Sequence, residues 1–342
     1  MNAIKTTLAE NLGGIAGSFA PQSGKFSLEE VPQLDGKVAL VTGGSEGIGY
    51  GCTHTLLSKN VSKLFIISLS KDIADDAINA IREEMGEASA KKVRWLSCDL
   101  SDWNATGKIA QQIAGETDRL DILINGAARG IMSYQEAPTN GIDQHLATNH
   151  FGHVVLTSHL LPLLEKTADA GNTVRVVCIS SNLHESTPKE TQFASIEEIN
   201  KDYGPNAQYA RSKLANLLYA KYLARHASSA HPNLLVNAIH PGIVETRQTS
   251  EHILEAYPLG GYAMKYGMAL FKKTQFEGCV STMFAATTTT NTGQYICPPA
   301  IVEKGSDKAN DMELMEQLMK ITKEIVEQKT GAEEKGCPMR AA

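Results

Sequence analysis

The sequence predicts an α/β fold: one doubly wound parallel sheet flanked by helices. Three observations carry this. Short strand-like runs alternate with helical stretches from residue 36 to about 300. Several of the runs are apolar at nearly every position, as strands covered on both faces must be. The first run ends in glycines that lead directly into a helical pattern, as in a strand–helix unit of a parallel sheet.

The elements follow in order. Residues 1–36 read as an extension, a short amphipathic stretch and then a Gly/Ser/Pro-rich linker. The body opens with a strand at 36–42. Further strands are expected at 64–67, 93–96, 120–124, 174–179 and 234–239. Helices near 47–58, 72–86, 104–116, 141–165 and 208–227 separate them. A helix near 275–288 precedes an edge strand at 293–296, and a polar-faced helix at 310–328 closes a single domain spanning 37–330. The tail 331–342 is expected to be flexible. A chain of 342 residues could hold two average domains, but α/β folds often exceed about 250 residues as one.

Composition narrows the function classes. Hydrophobic residues at 42% supply an ample core, and a net charge of −6 gives no reason to expect nucleic acid or an anionic membrane as partner. Six cysteines (Cys52, Cys98, Cys178, Cys279, Cys297, Cys337) form no metal-like pairs and suggest reduced thiols in a cytoplasmic protein. No run is long and apolar enough for a transmembrane helix. The first 35 residues lack the basic start and apolar core of a signal peptide, and the acids Glu10, Glu29 and Glu30 argue against a mitochondrial presequence.

Two motifs carry chemistry. Thr42-Gly-Gly-Ser-Glu-Gly-Ile-Gly49 lies between the first strand and the first helix. Glycine is needed where backbone must approach phosphate or adopt a positive φ, and the helix N-terminus offers free N–H groups to pyrophosphate. A glycine triplet alone also fits any tight turn; the strand before and the helix after give the nucleotide reading its weight. Tyr209-Ala-Arg-Ser-Lys213 places a phenol and an ammonium about one helical turn apart, on one face. A cation beside the phenol is expected to lower a pKa that is ordinarily near ~10, making a proton donor suited to a carbonyl that becomes an alcohol.

Thr-Gly-x-x-x-Gly-x-Gly, Asp99, Asn125, Asn149, Ser181, Tyr209-x-x-x-Lys213 and Pro241-Gly242 together resemble, in their order, the short-chain dehydrogenase/reductase family over about residues 36–300. Thr148-Asn-His150, Leu214-Ala-Asn216 and His240-Pro-Gly242 look like its retinol dehydrogenase-like and WW-domain oxidoreductase-like branch. The resemblance implies a Rossmann-type domain in which Gly43, Gly47 and Gly49 line the pyrophosphate, with Ser45 and Ile48 in the same loop. Asp99, next to Leu100, would accept from the adenine amino group, and Asn125 would border the cofactor. The backbone of Ile243, after Pro241-Gly242, would meet the nicotinamide carboxamide, and Thr246 would reach the same region. Ser181, rather than Ser180, would steady the substrate oxygen. The backbone of Asn149 would hold a water linking Lys213 to solvent, and Lys213 would also bind ribose hydroxyls. The sequence departs from the family's Asn-Asn-Ala-Gly at Asn125-Gly-Ala-Ala128, a matter of local loop geometry.

The cofactor implied is NADP or NAD. An acid ending the second strand would bind a ribose diol and repel a 2′-phosphate. The chain instead reads Ile67-Ser-Leu-Ser-Lys71, so Ser68, Ser70 and Lys71, with Ser45, could bind phosphate. The branch often has arginine where Leu69 falls, and Glu46 disfavours an anion; the balance leans slightly to NADP.

The expected activity is interconversion of an alcohol with a ketone or aldehyde. The insert 183–207 should shape the substrate entrance. The methionine- and tyrosine-rich segment 257–271 fits a lipophilic or secondary-metabolite-like substrate, and equally ordinary packing. Two alternatives stand beside this: the same fold doing dehydration or isomerisation, and a non-catalytic cofactor-binding scaffold, which would need no proton relay. Family members pair through helices equivalent to 141–165 and 208–227, or stay monomeric. His145, His150, His153 and His159 crowd one helix, but no set of ligands completes a metal shell, so packing and surface roles are expected. His184, His226, His231 and His252 read as surface.

Overall fold

A computed structural model describes residues 26–242, 244 and 274–331. Its strands are β1 (Val38–Thr42), β2 (Lys63–Ser68), β3 (Val93–Ser97), β4 (Ile122–Asn125), β5 (Val174–Ile179), β6 (Leu234–Ile239), β7 (Tyr295–Cys297) and β8 (Ile301–Glu303). They form one sheet in the order β3-β2-β1-β4-β5-β6-β7-β8. All neighbours are parallel except β7 and β8. The strand expected at the edge, 293–296, therefore lies one place inside it. Ala300, at a φ of +88°, helps turn the chain so that β8 pairs back along β7. Three residues behind a Pro-Pro pair are too few to show a strand period in sequence.

The continuous apolar runs are explained by burial on both sides. In β1, Val38 and Leu40 pack into one core cluster while Ala39 and Val41 pack into the other. In β2, Phe65 and Ile67 divide from Leu64 and Ile66 in the same way. Helices α1 (Gly47–Ser58), α2 (Lys71–Met85) and, later, α6 (Gln275–Thr287) cover one face. Helices α3 (Trp103–Glu116), α4 (His153–Asp169), α5 (Pro205–Ala230) and α7 (Met312–Thr330) cover the other. Side-chain caps fix several starts: Ser70 accepts from Ile73 N, Asp102 from Ala105 N and Asp311 from Leu314 N. Helix α7 packs against α5 and reaches His150 through Thr322 Oγ1 at 2.9 Å.

Two expectations need correction. Residues 26–36 are not free linker. Val31 and Leu34 are buried, Phe26 packs edge-on against Phe284, and Leu34 N donates to Lys59 O at 2.7 Å. Four apolar residues in this stretch, Phe26, Leu28, Val31 and Leu34, meet the α1/α6 side of the core, which its polar composition concealed. The helix expected at 141–165 is not one regular helix. Asp143 caps a turn at Gln144–Leu146, a π-helical turn follows at Ala147–Gly152, and only then does α4 begin. Single π turns inside helices recur at functional sites.

Candidate active site

The strand order reverses between β1 and β4, and a cleft of about 510 Å³ opens at that end of the sheet. The glycine loop supplies Gly43, Ser45, Gly47, Ile48 and Gly49 to its wall, the end of β2 supplies Ser68 and Ser70, and the end of β3 leads to Asp99 and Leu100. Gly43 has a φ of +70°, and a Cβ on Gly49 would stand 2.0 Å from Gly43 O, so this turn closes only with glycine. The N-cap of α1, Glu46, makes no side-chain capping bond, which leaves the first amides of that helix to an outside acceptor. Asp99 is exposed and accepts from Ser101 N at 2.8 Å, with acceptor capacity left for an amino group. These features fit a dinucleotide: a glycine cradle, open helix amides and a carboxylate along one cleft.

The rim at β2 is built from hydroxyls. Ser68 Oγ accepts from Trp95 Nε1 at 3.0 Å and Ser70 Oγ from Ile73 N at 3.3 Å, so each hydroxyl retains its own proton for donation. Leu69 between them is 67% exposed, and Lys71 pairs with Asp75 at the surface. Asn125 ends β4, but its side chain faces away from the cleft: Nδ2 donates to Thr157 Oγ1 on α4 at 3.0 Å. Its successors Gly126, Ala127 and Ala128 line the cleft instead.

Tyr209 and Lys213 lie on α5, with Lys213 Nζ 5.4 Å from the centroid of the Tyr209 ring. The ammonium donates to Ile179 O at the end of β5 at 3.1 Å, and Asn216 Nδ2 donates to the same oxygen at 3.1 Å. Ser180 is committed elsewhere: its hydroxyl donates to Lys213 O at 2.7 Å, tying β5 to α5. Ser181 caps the turn Asn182–Ser186 by accepting from Leu183 N, and its proton has only a long 3.4 Å contact with Asn182 Oδ1. That leaves Ser181 the freer donor of the two. Asn149, in the π turn, uses its amide to grip the loop after β4. Oδ1 accepts from Arg129 N at 2.6 Å, while Nδ2 donates to Arg129 O at 3.0 Å and to Ser212 Oγ at 2.9 Å. Ser212 Oγ in turn donates to Tyr209 O.

The expected lowering of the Tyr209 pKa is not found among the protein's own groups. Burial pushes the phenol up to about 12 and pushes Lys213 down to about 8. The physical reason is geometric: the ammonium lies over the ring and bonds to a backbone carbonyl, so it does not offset the loss of water around the half-buried phenol.

Pro241 is buried and Gly242 takes a φ of +84° beyond β6. Ile243, Thr246, His252 and the segment 257–271 lie outside the described residues. The insert 183–207 is anchored to α5 and to the stretch before the π turn. Arg211 of α5, fully buried, donates to Glu198 O and Ile199 O, pairs with Glu198 Oε1 at 3.0 Å, and lies under the Tyr203 ring. Asn200 bonds to Gly141 O and Asp143 N, just ahead of the π turn.

His184, expected at the surface, is buried: Nδ1 bonds Ser181 O at 2.7 Å and Nε2 accepts from Ser306 N. His150 and His153 are also buried, but they serve different partners, Thr322 for the first, Thr42 and Asn149 O for the second. Gln144, Thr148, Arg129 and Met132 line the cleft without having been singled out. Thr148 could have been found from its place before Asn149; nothing in the sequence marks Arg129 or Met132.

Comparison with known proteins agrees with this geometry. The family described as short chain dehydrogenase matches residues 37–255. A Neurospora crassa protein named as the mitochondrial oxidoreductase bli-4 is 49% identical over 346 aligned positions, covering 99% of this chain and 83% of the relative. The polyprenol dehydrogenase of Homo sapiens is 31% identical over 273 positions, covering 78% and 77%. Among solved structures, the RhlG/NADP active-site complex of Pseudomonas aeruginosa matches with a TM-score of 0.57 and 26% identity, over 77% of this chain and 95% of that one.

Proposed function

The chain belongs to the short-chain dehydrogenase/reductase family of oxidoreductases, and on that premise we propose that it interconverts an alcohol and a ketone or aldehyde using a nicotinamide dinucleotide. The observation that carries this reading is the buried Lys213 ammonium facing the Tyr209 ring at the end of β5, the strand that leads into Ser181. A scaffold that only bound nucleotide would have no use for so costly a cation.

When bound, the dinucleotide supplies or accepts the hydride. Gly43, Ser45, Gly47, Ile48 and Gly49 would hold its pyrophosphate, Asp99 with Leu100 would receive the adenine, and Pro241 and Gly242 would border the nicotinamide side. In the reducing direction Tyr209 gives its proton to the substrate oxygen and Ser181 donates a hydrogen bond to it. Lys213, while charged, favours the phenolate left behind. Asn149 holds the turn through which solvent returns the proton. The test is turnover of a panel of carbonyls and alcohols with each coenzyme, followed by absorbance of the reduced nicotinamide, for native protein and Tyr209→Phe. Retained activity in the variant overturns the assignment, and product without coenzyme oxidation favours non-redox chemistry.

NADP is the favoured coenzyme. Among the described residues no carboxylate ends β2, and Ser68 and Ser70 keep hydroxyl protons for a 2′-phosphate. The RhlG structure is a complex with NADP, in keeping with this. A lower Michaelis constant for NAD would reverse the preference. The substrate is proposed to be lipophilic, which fits a relative named for a polyprenol; activity restricted to small polar sugars would count against it. No helix among the described residues is long and apolar enough to cross a membrane. The proposed compartment is the cytoplasm, although one relative carries a mitochondrial designation. Localisation of a C-terminal fluorescent fusion to mitochondria would overturn that.

A further inference from the structure

His153 is the first residue of α4 and is 2% exposed. Both ring nitrogens are bonded at 2.8 Å, Nδ1 to Asn149 O and Nε2 to Thr42 Oγ1. A carbonyl can only accept, so Nδ1 carries the proton and Nε2 is a lone pair. Thr42 must then donate its hydroxyl proton to Nε2. That leaves the oxygen of Thr42 as an acceptor, and two backbone amides point at it: Gly126 N at 2.8 Å and Ala127 N at 3.0 Å. The other acceptor near this hydroxyl, Ile124 O, is farther, at 3.4 Å. One tautomer therefore satisfies every group along the chain Gly126/Ala127, Thr42, His153, Asn149, with no donor facing a donor.

The three segments joined are those that build the site. Thr42 ends β1 at the head of the glycine loop, Gly126 and Ala127 line the cleft after β4, and Asn149 sits in the π turn gripping Arg129. We propose that neutral His153 is a positioning residue that holds the nucleotide loop and the Asn149 turn in one register, and that it uses one of the two lone pairs of the Asn149 carbonyl so that a water can take only the other. This rests on the dehydrogenase reading. Burial of the ring, against Lys213 nearby, keeps it from taking up a second proton near neutral pH.

The test uses the full chain, with NADPH and NADH titrated separately by fluorescence of the bound reduced nicotinamide, alongside kcat for a carbonyl that the native protein turns over. Native protein that binds neither coenzyme overturns the dehydrogenase reading itself. Given native binding, His153→Leu is expected to weaken it roughly tenfold and to lower kcat by a similar factor. The two halves of the bridge should separate. His153→Gln, whose amide reaches toward Thr42, restores binding and not kcat; His153→Asn, whose amide reaches Asn149 O, restores kcat and not binding. A ring that only fills space would not divide in this way. Thr42→Val combined with His153→Leu should bind no more weakly than the worse single variant. Binding and kcat within about twofold of native in His153→Leu overturn the inference, as do Gln and Asn variants that lose both properties alike. If His153→Leu does not fold, the Gln and Asn variants decide.

Discussion

The two ends of the central strands treat buried charge in opposite ways. At the N-terminal ends, Asp121 is 1% exposed and surrounded by donors: Arg119 at 2.6 and 2.8 Å, Lys37 at 3.1 Å and Val38 N at 3.0 Å. Burial pushes this carboxyl up, but the bonds from Arg119, Val38 and Lys37 outweigh it and hold the carboxyl below its ordinary range. At the C-terminal ends, Lys213 is 2% exposed and bonds one backbone oxygen; among the described residues no carboxylate pairs with it. Compensated charge fastens β1 to β4, whereas uncompensated charge is what a proton-transfer site requires.

Mutations at the two ends should therefore separate stability from activity. The largest effect is expected for Tyr209→Phe: turnover falls by at least ~1,000-fold while dinucleotide affinity stays within about twofold, measured by steady-state kinetics and fluorescence titration. Substantial turnover would place the proton donor elsewhere.

At the opposite end, Asp121→Ala should cost about 3 kcal/mol, seen as a lower urea midpoint, with kcat unchanged. The contribution of Asp121 is present above the ordinary carboxylate range and is lost as pH falls through its lowered value. A stability change under about 1 kcal/mol would mean that the cluster is no stronger than a surface pair.

Lys213→Met should move the other way on stability while abolishing turnover. The displacement of Lys213 from 10.5 to about 8 corresponds to roughly 3 kcal/mol against the charged form. Near neutral pH that cost is present in the native protein and absent from the variant, so the variant should be more stable by about 1–3 kcal/mol. Asn216 continues to serve Ile179 O. Between about 8 and 10.5 the unfolded chain binds more protons, so native stability rises with pH across that window and the variant's does not. A destabilised Lys213→Met would show that the ammonium is better compensated than its geometry indicates.

The smallest effect concerns the histidines beside the site. Burial lowers His150 to about 3 and His153 to about 4, so stability is lost as pH falls from about 6.5, where the unfolded chain begins to take up protons. By pH 5 each contributes a loss on the order of 2 kcal/mol. His150→Leu should flatten that acid limb in pH-dependent urea denaturation; an unchanged slope would contradict it.

Much of this site can be read from the chain because its parts are local. The glycine loop is a strand, a turn and the first turn of a helix within about twelve residues of Val38, and the Tyr209–Lys213 pair is one turn of one helix. What the pattern missed involves distant partners. Residues 149–158, across the π turn and the start of α4, are buried on every side and offer no polar face to orient them, so the spacing of His150 and His153 could not show that one ring meets Thr322 and the other Thr42. His184 looked exposed because its acceptor and donor, Ser181 O and Ser306 N, lie at different distances along the chain.

By itself the sequence determined the strand order's raw material: apolar runs with no polar side, glycines where a side chain would collide, and an acid–base pair on one helical face. Only the tertiary structure decided how each group is charged and which way it points. Desolvation and hydrogen bonding depend on what the remaining chain brings to within a few ångströms. Tyr209 shows this: its neighbour four residues away was legible, and the burial that raises it to about 12 was not.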